Sequence, residues 1–433
     1  MSSSSKEPLK VGIAGLGTVG VGVIKIMETH NAMLAARGGR TIEISAVSAR
    51  DRGRERGVDL TPYAWCDNPV ELASRDDVDL IIELIGGSDG PAYALAKETL
   101  SRGKSFVTAN KALIACHGKE LASLAEESGA SLRYEAAVAG GIPVIKALAE
   151  GLVGNDVSGL YGILNGTCNY ILTRMEREGL GFAEVLEDAQ RLGYAEADPT
   201  FDIDGIDTAH KTAILAALAF GTAPDMDNLP TEGIRNIAPV DIDYAKELGY
   251  RIKLLGVARR TDDGIETRVH PAMVSLSAPL AKVMDAINAV VINGDFVGQT
   301  VYEGAGAGEG PTASSVVADI IDIARGNTYA PLGIPVADLQ ELPAIPAEKH
   351  LGTYYIRLRV EDRPGVMADI TSVLAENNVS IKSMLQRGKC DEGGVYIVLT
   401  THETVEACIA KTLNHFTNLE CVLETPTMLR IEA

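Results

Sequence analysis

Several things are scarce in this chain. Aromatic residues make up 5% of it, with a single tryptophan, Trp65. Six cysteines (Cys66, Cys116, Cys168, Cys390, Cys408, Cys421) are scattered over 433 residues without a CxxC pair. That spacing excludes a disulfide framework and indicates no thiolate zinc site. No apolar run reaches the length of a membrane-crossing helix, and the leader MSSSSKEPLK has no apolar signal core. Positive charge is also short: 39 Lys and Arg against 59 Asp and Glu leave a net charge of 39 − 59 = −20. Nucleic acid and anionic membranes are thereby excluded as general partners, though a local basic pocket for a phosphate is not. A soluble, cytoplasmic protein is expected.

What is present fills more than one core. At 433 residues and 46% hydrophobic composition, two or three domains are expected. The segment LKVGIAGLGTVGVGVIKIM places a short apolar strand before Gly15-x-Gly17-x-x-Gly20 and a helical period after it. The first glycine allows the tight turn, the second lets a pyrophosphate approach, and the third lets helix and strand pack. Leu16, Thr18 and Val19 complete that loop, and the helix start offers N–H groups to phosphate. A second strand is expected over Thr41–Ala49, after a polar insertion at 31–40. Beyond it stand Arg50, Asp51, Arg52, Arg54 and Arg56. Arginine there suits a 2′-phosphate, whereas Asp51 keeps NAD open, and a solvated basic loop is the plain alternative. Further strand–helix alternation, with Gly86, Gly87, Thr108, Asn110 and Lys111 at strand ends, implies a doubly wound parallel sheet.

The densest chemistry lies in GYAEADPTFDIDGIDTAHK, Gly193 to Lys211. Pro199 disfavours helix at Asp198, so a loop is expected up to a helix starting near Asp204. On that helix Asp204, Asp207 and Lys211 would lie within about 60° of one another. The apolar run TAILAALAF follows, so the lysine would stand at the mouth of a buried helix, a setting for proton transfer. The same spacing also describes a common surface ion pair. Later, Gly304, Gly306 and Gly308 form a loop before another helix, and a proline-punctuated stretch (331–350) reads as a linker. From about 351 the pattern is a separate βαββαβ unit. The expected division is a nucleotide domain over 1–135, completed by a helix at about 312–330. An α+β substrate and dimerisation domain follows over 136–311, with the C-terminal unit at 351–433.

Taken in order, GLGTVG, IIELIGG, TANKALIA, YEAAVAGGIPVI, GILNGTCNYIL, GYAEADPTFDIDGIDTAHK and GAGAGEGPTAS resemble homoserine dehydrogenase over almost the whole chain, and DRPGVMADI resembles an ACT regulatory domain. The resemblance implies a Rossmann-type α/β fold and NAD(P)-dependent interconversion of L-aspartate 4-semialdehyde and L-homoserine. That reaction belongs to threonine, methionine and isoleucine biosynthesis. By residue it implies Lys211 as general acid/base beside Asp207, Glu196 as the carboxylate for the substrate, and Lys111 at the nicotinamide end. Gly15 to Gly20, Arg50, Gly86, Gly193 and Gly308 would line the cofactor, with NADP expected and NAD possible. A sodium ion held chiefly by carbonyls would fall at Glu135, Val138, Gly140 and Ile142. A homodimer or homotetramer inhibited by L-threonine is implied as well, and a chain ending near Ala347 is expected to stay active and lose that inhibition. Two rivals remain: a non-catalytic nucleotide- and amino-acid-sensing protein, and a different ACT-bearing amino-acid-pathway dehydrogenase.

Overall fold

The computed structural model describes residues 7–387 and 393–432. Most of the leader and Cys390 lie outside them. The chain divides into two compact units: Met1–Gly166, Ala209–Leu229 and Ile287–Leu342 form the first, and Thr167–Thr208, Pro230–Ala286 and Pro343–Ala433 the second. Among the described residues no helix is long and apolar enough to cross a membrane, and the cysteines are unpaired.

In the first unit six parallel strands, β1 (Leu9–Ala14), β2 (Ile42–Ser48), β3 (Ala64–Cys66), β4 (Leu80–Glu83), β5 (Ser105–Thr108) and β6 (Leu132–Arg133), lie in the order β3-β2-β1-β4-β5-β6. The order reverses between β1 and β4, and the gap left at their carboxyl ends is where such a sheet takes a ligand. Every residue of β4 is buried, as a strand covered on both faces requires. Ala313, Val316, Val317 and Ile320, from the helix Glu309–Arg325, join Val11, Ile13, Val23 and Ile82 in one core. The polar insertion before β2 forms the helix Asn31–Gly38, ended by Gly39 in the left-handed region (φ 73°). Its good helix formers outweigh their polarity, and Leu34 is buried beneath it. Three antiparallel strands, Val157–Ile163, Ile287–Gly294 and Gly298–Ala305, belong to the same unit.

The helix carrying Lys211 spans Ile206–Phe220, so it starts near Asp204, as expected, but leaves Asp204 outside it. A short helix, Thr200–Ile203, comes first, and Gly205 (φ 85°) breaks the path between the two. Asp204 therefore does not share a helix face with Asp207 and Lys211. Its carboxylate holds the Arg235 guanidinium instead. The loop is shorter than expected because the Asp198 side chain accepts the Thr200 N–H at 3.1 Å and starts a helical turn there.

In the second unit the strands Tyr250–Thr261 and Gly264–Ser275 form a twelve-residue hairpin pair. The C-terminal segment is βαββαβ: strands Leu351–Val360, Ile381–Arg387, Val395–Thr401 and Thr427–Glu432, with helices Val366–Glu376 and Glu406–Thr417 on an apolar core. It lies within the second compact unit. Its last strand pairs in parallel with Gly264–Ser275 (Arg430 opposite Ala272), so one sheet continues from the hairpin into the C-terminal strands. Alternation within Thr427–Glu432 signalled a strand but not its second partner, because Arg430 and Glu432 look like surface residues and are 6% and 2% exposed. The proline-rich stretch is likewise tied down. Ile265 donates to Pro343 O and accepts from Ile345 N, both at 2.9 Å. A chain ending near Ala347 would leave Arg268 without Glu432, its partner at 2.9 Å, so the expectation that truncation spares the enzyme is withdrawn.

Candidate active site

The glycine loop after β1 shows two different reasons for glycine. At Gly15 (φ 106°) a Cβ would fall 2.4 Å from Leu84 O, and at Gly20 it would fall 2.1 Å from Gly15 O. At Gly17, the N-cap of the helix Thr18–Thr29, it would meet nothing within 4 Å. The first two positions let the backbones pack, and the third leaves open space where a pyrophosphate can reach the helix N–H groups. Thr18 and Val19 open that helix, whose first turn holds no acidic residue to oppose an anion. A cavity of about 600 Å³ follows, lined by Gly15, Leu16, Gly17, Arg50, Arg54 and Gly86 among others. The loop thus fits a dinucleotide.

The rim beyond β2 is basic. Arg50 and Arg54 are exposed along the cavity. Arg56 donates to Leu16 O at 3.1 Å and, with Arg52, stands over the Trp65 ring. The Asp51 carboxylate, next to Arg50, accepts the Gly53 N–H at 2.8 Å and is thus engaged by its own loop. Opposite, Glu83 is fully buried at the end of β4. It accepts from Ile85 N (2.6 Å), Gly86 N (3.0 Å) and Thr108 Oγ1 (2.6 Å). Asn110 caps the helix Lys111–Ser128 through Leu113 N and donates to Gly87 O at 2.6 Å. These bonds set the Gly86–Gly87 turn and place Lys111 at the first position of its helix. Glu83 was missed in the sequence because a lone acid after an apolar strand looks like the start of a solvated turn.

Elsewhere in the first unit, Lys211 is 9% exposed, and its Nζ donates to Leu164 O at 2.7 Å. Asn288 Nδ2 donates to the same carbonyl at 3.0 Å, a buried contact that sequence reading did not find. A Cβ on Gly306 would fall 2.0 Å from that amide, so the glycine loop Gly304–Gly308 closes over Asn288. Gly308 (φ 120°) caps the helix Glu309–Arg325.

The Glu135–Ile142 turn passes through Ala139 (φ 54°) and Gly140 (φ 46°), and Gly140 O accepts from Ser315 Oγ at 2.7 Å. The Glu135 carboxylate accepts N–H groups from Ile145 and Lys146, and burial, then the neighbouring Asp319 charge, push its pKa up to about 8. Among the described residues no cluster of three or more His, Cys, Asp or Glu could hold a metal.

In the second unit, Gly193 (φ 81°) ends the turn after the helix Phe182–Arg191. Glu196 is exposed, with its carbonyl held by Gln190 Nε2 at 2.9 Å. Two bonds from the first turn of the helix Gly166–Glu178 fix the acidic stretch: Thr167 Oγ1 to Tyr194 O (2.8 Å) and Cys168 Sγ to Asp202 O (3.2 Å). Of the residues expected at the cofactor, Gly15, Leu16, Gly17, Arg50 and Gly86 are gathered in one cavity. Gly193 and Glu196 belong to the other unit, and Asp207 sits four residues before Lys211 on one helix.

Three family models match this chain: "Homoserine dehydrogenase, NAD binding domain" over residues 15–135, "Homoserine dehydrogenase" over 143–321 and "ACT domain" over 354–415. A homoserine dehydrogenase of Neisseria gonorrhoeae is 45% identical, with 99% of each chain covered. One of Pseudomonas aeruginosa is 44% identical, covering 98% of this chain and 99% of its own. A crystal structure of a homoserine dehydrogenase from Thiobacillus denitrificans superposes with a TM-score of 0.93 at 43% identity, again with 99% of each chain covered. A hyperthermophilic archaeal homoserine dehydrogenase in complex with NADPH matches 75% of this chain and 100% of its own (TM-score 0.65, 26% identity).

Proposed function

This chain belongs to the homoserine dehydrogenase family, and from that premise we propose which residues carry its reaction. It is an oxidoreductase that interconverts L-aspartate 4-semialdehyde and L-homoserine with a nicotinamide cofactor, and it carries an ACT domain. When bound, the nicotinamide supplies the hydride to the aldehyde carbon or takes it back from the alcohol. In our reading Lys211 protonates the carbonyl oxygen as charge develops there, and removes that proton in the alcohol-oxidising direction. Asp207 stands one turn before it, Glu196 receives the substrate's α-ammonium, and Lys111 orients substrate at the nicotinamide end. The observation that carries this reading is a nearly buried lysine whose Nζ is oriented by Leu164 O, on the helix that follows the acidic stretch. Its test is NADPH oxidation by Lys211→Ala with aspartate semialdehyde.

NADP is the proposed preference. The arginines along the cavity rim support it, as does the engagement of Asp51 within its own loop. The Gly15–Gly20 loop, Gly86, Gly193 and Gly308 are assigned to the cofactor side. For sodium, the two consecutive left-handed residues and the occupied Glu135 carboxylate favour carbonyl ligation by Glu135, Val138, Gly140 and Ile142. A sodium-dependent rise in the unfolding temperature over potassium controls tests it. Threonine is the proposed ACT effector. A full-length enzyme that ignores millimolar threonine in rate and in calorimetry removes that assignment. Assembly into a homodimer or homotetramer is supported by the edge strand Gly298–Ala305, on which Val301 is 43% exposed. The expected domain division is kept as part of this reading, with the spans of the family models in its favour.

A further inference from the structure

In the second unit six residues, Pro230–Arg235, run beside the strand Gly264–Ser275. Glu232 N donates to Val269 O at 2.8 Å, and Val269 N donates to Pro230 O at 2.9 Å. On its other side this segment grips the turn that ends the acidic stretch. Ile234 N donates to Ile203 O at 2.9 Å, and Arg235 holds both oxygens of Asp204. A Cβ on Gly233 would fall 2.1 Å from Ile203 O and 2.4 Å from the Asp204 Cα, so the two backbones touch. Only glycine allows that approach.

The same segment is held from the C-terminal strands. Arg430, 6% exposed on the last strand, donates to Glu232 Oε1 at 2.9 Å. Its guanidinium is oriented by Glu406, the first residue of the helix Glu406–Thr417, through Nε at 2.8 Å and a second bond from Nη2. A planar donor fixed by one carboxylate presents its remaining edge in one direction, and Glu232 lies there. Contacts therefore run without a break from the C-terminal sheet through Arg430 and Glu232 to Ile203 and Asp204, three residues before Asp207.

We propose that Arg430 is a positioning residue for the dehydrogenase reaction, acting through Glu232 to hold Pro230–Arg235 against the turn Ile203–Gly205 and so set the acidic stretch. The proposal rests on assigning that stretch to the substrate. It makes the last strand of the ACT unit part of the support for substrate binding, and gives an effector bound there a mechanical route to the reaction.

The Glu232 side chain is 54% exposed, so Glu232→Ala in the full chain is compatible with folding. Its KM for homoserine should rise about fivefold, the low end of coupling between distinct sites. The dissociation constant for NADPH, whose crevice is built on the other unit, should stay within about twofold on the same scale. Arg430→Met should shift KM in the same direction, and the double variant should add little to either single one. A purely structural ion pair would lower the unfolding temperature and leave KM alone. Glu196→Gln, made in parallel, separates the two claims. An unchanged KM there overturns the substrate assignment. A raised KM in Glu196→Gln beside an unchanged one in Glu232→Ala overturns the positioning role.

Discussion

The parallel sheet β1–β6 and the sheet that runs from the Tyr250–Ser275 hairpin into the C-terminal strands treat buried polar groups in opposite ways. The first is largely apolar, its buried Arg133 on β6 being held by a carbonyl, Asn327 O at 2.7 Å, and the Tyr329 ring rather than by a carboxylate. Its buried carboxylate, Glu83, spends itself on two backbone N–H groups and a hydroxyl, and its ligand edge is backbone and glycine. The second buries more ions and pairs several of them, with Lys253 held by Asn169 Oδ1 and Val283 O. Arg268 lies between Glu266 (3.0 Å) and Glu432 (2.9 Å), Arg357 Nε meets the fully buried Asp241 at 2.7 Å, and Arg430 meets Glu406. Backbone N–H groups at a helix start beside such an edge can receive an anionic guest. Charges paired with each other inside a sheet serve cohesion, and each pair is only as good as its weaker member.

The comparison can be broken by variants. The largest expected effect falls on chemistry: Lys211→Ala should lose about 10²–10⁴-fold in turnover. Fluorescence titration should show NADPH binding nearly intact, and turnover within about threefold of wild type would remove the lysine from its role. Next comes Asp241→Ala, which takes the Nε partner from Arg357, leaving it Glu424 and Thr427, and the acceptor from the Tyr355 hydroxyl, bonded to Asp241 at 3.0 Å. Breaking one side of such a pair costs about 3–5 kcal/mol. A shift below about 1 kcal/mol in urea unfolding would place this sheet with surface ion pairs instead.

Acid should find the second sheet first. Burial alone would raise the Glu266 carboxyl, but the His350 hydrogen bond and the Arg268 charge outweigh it and hold its pKa at about 2, against an ordinary value of 4.5. A carboxyl depressed by folding stabilises fully above its unfolded pKa and loses that contribution as pH falls through the folded one. The window is therefore pH 4.5 down to 2, and the loss is of order 3 kcal/mol from this group. Unfolding scans of Glu266→Gln should show a shallower decline across that window, and parallel curves would assign the acid sensitivity elsewhere.

The smallest changes in stability should come from the cofactor edge. Arg50→Ala should raise KM for NADPH relative to NADH by an amount equivalent to roughly 1.5–3 kcal/mol, with little change in unfolding temperature. Equal rises with both cofactors would make Arg50 a solvated loop residue.

Much of this was legible because it is local. The glycine spacing, the strand–helix alternation and the ACT strands were each written within about twenty consecutive residues, as turn geometry and side-chain periodicity are. The break at Gly205 was misjudged because it depends on Thr231 and Val269, side chains that a Cβ there would approach to 3.0 Å. Asn288 escaped notice for a similar reason, since its partner Leu164 O lies 124 residues away. Carbonyl ligands for a cation leave no side-chain signal at all.

By itself the sequence determined that this chain builds a dinucleotide loop, an acidic stretch followed by a lysine on a buried helix, and a C-terminal βαββαβ fold. Tertiary structure alone decided that the last of these shares a sheet with the hairpin Tyr250–Ser275, and that Arg430 is an interior group rather than a surface one. The reason is physical. Backbone conformation follows from neighbours in the chain, whereas whether a charge is buried depends on which distant carboxylate arrives to pair with it.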